Sequence, residues 1–171
     1  AGHRLRFEST MAYLPRLKQF WTLPSYVGRA AFAPDGRSVA LGCQDGTVLF
    51  KTCDTGETLG SVNFSATAVA QLRYLDEGHR VIVSGSRKLW SVFAVPEAGG
   101  AQSGTPLLQG LAFQGTSESG RYLAHGNQEI VVVDAQSLEA FSKGCPHSNP
   151  VSLVGFLRDD ERLFTVSGSA T

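Results

Sequence analysis

Apolar and polar positions fall in short, regular runs along most of the chain. Residues 38–50, SVALGCQDGTVLF, show the unit: SVALGC, then the polar QDG, then TVLF. Asp-Gly between two apolar runs predicts a tight hairpin, because both residues tolerate positive φ. The pattern then returns. The glycines ending this apolar run in each copy, Gly42, Gly85, Gly126 and Gly168, are spaced by 43, 41 and 42 residues. A polar turn precedes each run: APDGR, LDEGH and SESGR place Gly36, Gly78 and Gly120 at steps of 42. The fourth turn, RDDER, has Arg162 where glycine would fall. Upstream of each turn stands an aromatic residue: Phe32, Tyr74, Phe113 and Phe156.

Self-similarity at a fixed period outranks any single motif. Each copy reads as four strands. The first are RAAF, VAQLRY, LQGLAF and VSLVGF; the second are SVALG, RVIVSG, RYLAHG and RLFTVSG. The third are TVLFKT, KLWSVFAV and EIVVVDA; the fourth are TLGSVNF, TPLLQG and EAFSKG. Strands of five or six residues joined by hairpins of two to five take roughly forty residues per four-stranded unit. That unit is a propeller blade. A lone sheet of this kind has two apolar faces and buries them only by stacking on neighbours.

FAPDGRSVALGCQDGTVLFKTCDTGE resembles a WD-repeat (WD40) blade, with its Pro-Asp-Gly turn, Gly-ending strand, Asp-Gly hairpin and Thr-Gly turn. KLWSVFAV and EIVVVDAQSLE are similar to the later part of that run in the next copies. The resemblance covers about residues 28–171. It departs from the family pattern in three ways. No copy has Trp-Asp, since the slots hold Phe50-Lys51, Trp90-Ser91 and Val132-Val133. No copy opens with Gly-His. The second and third copies shorten the hairpin by about two residues. The blades are therefore expected to rely on apolar packing in place of a His/Asp hydrogen-bond network.

The fold expected is all-β: about three and a half WD40-like blades at residues 28–66, 67–108, 109–148 and 149–171, part of a larger ring. Three and a half blades do not close a ring, so the remainder is expected from the same or another chain. Residues 1–27 break the repeat and read as a basic, aromatic arm or a latch strand. Phe32, Val39, Leu49, Tyr74, Ile82, Trp90, Phe113, Leu123, Val131, Phe156 and Phe164 form the expected core.

Charge and chemistry change this picture little. The chain is formally neutral, yet residues 1–34 carry Arg4, Arg6, Arg16, Lys18 and Arg29 against Glu8. Arg4, Arg6, Arg16 and Lys18 are the candidate contacts to RNA or an acidic partner. No apolar run approaches membrane-spanning length. Cys43, Cys53 and Cys145 match no zinc or disulfide framework, which predicts reduced thiols in the cytoplasm or nucleus. His3, His79, His125 and His147 are scattered, and the Cys-Pro-His at 145–147 has only local closeness to suggest a catalytic pair. Asp159-Asp160 and the TSESG stretch fall in turn slots of the repeat. The expectation is thus no enzyme, no cofactor and no metal. The chain reads as an interaction scaffold within a multi-subunit assembly. The alternatives are an RNA-associated scaffold of a ribonucleoprotein or ribosome-assembly complex and a ligand-sensing propeller of a large signalling ATPase.

Overall fold

A computed structural model describes residues 19–65, 67–86, 89–97, 104–158, 160 and 162–168, with backbone alone for 142–145. These residues build four antiparallel sheets in chain order. The first holds β1 (Val27–Phe32), β2 (Ser38–Cys43), β3 (Thr47–Thr52) and β4 (Thr58–Asn63). The second holds β5 (Val69–Leu75), β6 (Arg80–Gly85), β7 (Trp90–Ala94) and β8 (Leu108–Gly110). The third holds β9 (Phe113–Thr116), β10 (Tyr122–Gly126), β11 (Glu129–Asp134) and β12 (Ala140–Pro146). The fourth pairs β13 (Val151–Phe156) with β14 (Leu163–Ser167). Among the described residues there is no α-helix, and no helix is long and apolar enough to cross a membrane.

Each sheet is a meander, so opposite faces of one strand serve opposite neighbours. In the first sheet, Ala40, Val48, Phe50 and Val62 pack on Val69, Tyr74, Val81, Val83 and Phe93 of the second. The other face of the second sheet, through Ile82, Trp90 and Val92, packs on Leu123, Val133 and Ala135 of the third. The other face of the third, through Ala124 and Ile130, packs on Val151 and Val154 of the fourth. Strict alternation along the strands makes this stacking possible.

The repeat is also written in backbone irregularities. In every sheet the ladder between first and second strand shifts by one residue, at 27/29, 69/71, 124/125 and 151/153. The turn glycines all adopt positive φ: Gly36 at 70°, Gly78 at 103° and Gly120 at 77°. Each lies three residues before the residue that faces Phe32, Tyr74 or Thr116 near the end of the first strand: Val39, Val81 and Leu123. In the fourth sheet that residue is Leu163, so the glycine slot belongs to Asp160, at φ 56°, and not to Arg162. Aspartate is among the few residues that take this conformation cheaply.

Other expectations need correction. Leu108–Gly110 does not open the third copy; it is β8, paired with β7, and β9 begins at Phe113. Gly110 is required opposite Trp90, since a Cβ there would lie 2.9 Å from the indole ring. Phe113 pairs with His125, whereas Phe32, Tyr74 and Phe156 pair with Val39, Val81 and Leu163; Thr116 holds the matching place in the third sheet. The second copy's hairpin is not shortened: Ser84 faces Trp90 as Gly42 faces Val48, while Gly126 faces Ile130.

Of the expected core, Val39, Tyr74, Ile82, Trp90 and Leu123 are buried. Leu49, Phe113, Val131 and Phe156 are half-buried. Phe32 is 70% exposed and Phe164 46% exposed. Both point away from the stack, Phe32 from the first sheet and Phe164 from the fourth. Alternation tells which residues share a face, but not whether that face has a neighbour.

Candidate functional site

Arg4, Arg6, Arg16 and Lys18 lie outside the described residues. The described surface offers two other features, a polar cleft and two apolar sheet faces.

The cleft, about 860 Å³, lies where the turns between first and second strands of the last three sheets converge. Each turn leans on the one before it. The Asp76 N–H donates to the Gly120 carbonyl at 3.3 Å, and the Ser119 hydroxyl donates to the Asp160 carboxylate. Arg80 pairs with Asp76 at 3.7 Å and donates to the Ala135 carbonyl. Arg121 pairs with Asp134 at 3.6 Å. Burial raises the Asp134 pKa, but the Ser137 and Gln136 N–H groups and Arg121 outweigh it and hold the carboxyl below its ordinary range. Asp76, Glu77 and Asp160 all adopt positive φ here. Arg80 and Arg121 offset Asp76 and Asp134, and Glu77 and Asp160 leave the cleft with an acidic excess. It is a polar surface to which turns of three sheets contribute.

The histidines separate by environment. His79 is exposed, and its Nδ1 lies 2.8 Å from the Asp76 carbonyl of its own turn. The His147 ring lies between the hydroxyls of Thr165, 2.8 Å from Nε2, and Ser167, 3.2 Å from Nδ1. It ties the end of β12 to β14. The Cys145 side chain lies outside the described residues, so the Cys-Pro-His pair has no geometry to assess. Cys43 is buried, and burial together with Asp45 pushes its thiol pKa up, away from the reactive thiolate. Among the described residues no group of three or more His, Cys, Asp or Glu could hold a metal ion.

His125 packs on Trp90 with ring centroids 5.0 Å apart, between the second and third sheets. Burial lowers its pKa below the ordinary 6.5. The folded state therefore resists a proton that the unfolded chain accepts. Its contribution to stability is full above about pH 6.5 and is lost as pH falls from there toward the depressed folded value. Urea midpoints should drop between pH 7 and 5, and His125→Phe should flatten that slope. An unchanged slope in the variant would show that other groups carry the acid sensitivity.

The apolar faces sit at the two ends of the stack. On the fourth sheet Leu153, Phe164 and Val166 are 53, 46 and 47% exposed. On the first, Phe32 stands open beside the buried Val39, Leu41 and Cys43. Sequence reasoning named Phe32 and Phe164 as core and so missed them as surface. Comparison with protein-family models and with curated proteins finds no match for this chain.

Proposed function

We propose that the four sheets are WD-like blades of a larger β-propeller and that the chain is a non-enzymatic scaffold for protein assembly. The carrying observation is the open apolar face of the fourth sheet. The inner faces of the stack bury Phe50, Phe93, Trp90 and Ile130 almost completely, while Leu153, Phe164 and Val166 of the fourth sheet stay open. A face of the same composition as a buried one is a face that takes a neighbour. The 42-residue recurrence, the shared register shift and the positive-φ turns support blade identity.

Sedimentation velocity over a range of concentrations tests this. The chain is expected to self-associate or to bind a further sheet-bearing segment through the fourth sheet, and Leu153→Asp with Phe164→Asp should abolish that association. A compact monomer at all concentrations would overturn the reading. The RNA-associated alternative rests on the basic arm. If it holds, RNA affinity falls with salt. Neutralising Arg4, Arg6, Arg16 and Lys18 then flattens the salt slope by about one unit for each phosphate the arm no longer reaches. No RNA binding at low salt would leave protein scaffolding as the surviving function.

A further inference from the structure

The first sheet's outward face is not bare. Residues 19–26 enter no ladder, yet their burial alternates: Gln19, Trp21, Leu23 and Ser25 are half-buried, and Phe20, Thr22, Pro24 and Tyr26 are exposed. The segment starts at the β3–β4 turn. There Gln19 donates to the Asp54 carbonyl, and the Trp21 indole N–H donates to Gln19 Oε1 at 3.1 Å. The Trp21 ring sits on Gly56, where a Cβ would come within 2.4 Å of Nε1, and the Lys51 ammonium lies 5.6 Å from the ring centroid. Lys51 is itself held by the Gly56 carbonyl at 2.8 Å and the Thr58 hydroxyl at 3.0 Å. The segment ends at the opposite end of the sheet, where the Gln44 N–H donates to the Tyr26 carbonyl at 2.9 Å.

Register gives the side it crosses. Lys51 faces Val39, and Phe50 faces Ala40. Ala40 and Phe50 point into the second sheet, so Lys51, Val39, Leu41 and Cys43 point the other way. Eight extended residues reach about 23 Å, enough to cross a six-residue strand of about 20 Å. Beneath this path Val39, Leu41 and Cys43 are 2, 6 and 1% exposed although no other described sheet covers them.

We propose that residues 19–26 are a tryptophan-anchored strap that caps the outward face of the first sheet and yields to an incoming β-sheet face. The strap mimics the neighbour that the second sheet gives to the other side. It is built to leave. Among the described residues one aromatic anchor, a glutamine and a single backbone bond hold it outside any ladder, and segments with so few backbone bonds open at low free-energy cost. It leaves Phe32 uncovered at the rim, where a docking sheet makes first contact. The occupant that fits is an apolar sheet face like that of β13–β14 in a second copy, because every internal interface joins faces of these two types. Assembly at the first sheet is then coupled to strap release, whether or not a ring closes.

Cys43, beneath the strap, reveals its position. In the full chain with Cys53→Ser and Cys145→Ser, the rate of Cys43 labelling by a maleimide is compared with that in Trp21→Ala and in Gly56→Ala, which displaces the ring while retaining it. Both should label at least tenfold faster, with the near-ultraviolet dichroism of Trp90 retained as proof of folding. Both should also self-associate more strongly by sedimentation, and Phe164→Asp should reverse the gain. Labelling as slow as in the parent would overturn the strap. Faster labelling without stronger association would overturn its gating of assembly.

Discussion

Replacing Trp90 with alanine should cost about 3–5 kcal/mol of unfolding free energy. The side chain is 1% exposed, and its ring covers Gly110 across the β7–β8 ladder. Its Nε1–H donates to the Leu111 carbonyl at 3.2 Å. Its other neighbours, Phe113 at 6.5 Å and His125 at 5.0 Å between centroids, belong to the third sheet. The loss therefore combines a cavity with the uncoupling of two sheets. Urea unfolding at pH 7 measures it. Trp90→Phe should recover part of the packing but not the Leu111 bond, and fall between parent and alanine. A loss below about 1 kcal/mol would mean that the ring fills no essential space.

The second large effect is expected at Gly46. Its φ is 84°, and a Cβ there would sit 1.6 Å from the Ser65 carbonyl oxygen. Gly46→Ala must both accept left-handed backbone and push aside the loop joining the first and second sheets. Gly36→Ala supplies the control, because its φ is 70° but nothing lies within 4 Å. The control should lose about 1–2 kcal/mol from conformation alone. Gly46→Ala should lose about 2–4 kcal/mol, the excess being the displaced carbonyl. Equal losses would show that the loop yields freely. Denaturant midpoints of the two variants, measured together, decide it.

The strand order and turns are readable in the sequence because they are local. A positive-φ glycine, an apolar run and a polar pair recur within a few residues, and Gly36, Gly78 and Gly120 are found in the conformation their type allows. The aligned strand glycines are less uniform than their spacing suggests. Gly42 makes room for the Val69 side chain, Gly85 for the Phe64 ring, and Gly126 turns a hairpin at φ 123°. Three different surroundings happen to select one residue type. Phe32 and Phe164 mislead because hydrophobicity records a tendency to be covered, whereas coverage depends on a neighbour many residues away. The Trp21 anchor is hidden for the same reason. Its seat, Gly56 in the turn and Lys51 at the end of β3, belongs to a hairpin that the sequence explains fully without it. The arm reads as basic and aromatic, and nothing in its composition distinguishes a ladder strand from a segment lying across a sheet.

The three inter-sheet cores share no residue. Each joins one pair of sheets, so the molecule behaves as a row of coupled units, with no single centre on which all parts depend. Damage in one junction weakens its two members and leaves a distant junction its full strength. The row is also unequal. The last junction rests on a two-stranded sheet with Val151 and Val154 as its buried residues, while the first gathers Phe50, Tyr74 and Phe93. Among the described residues, the junction of β13 and β14 with the third sheet is the one expected to open first on slow heating.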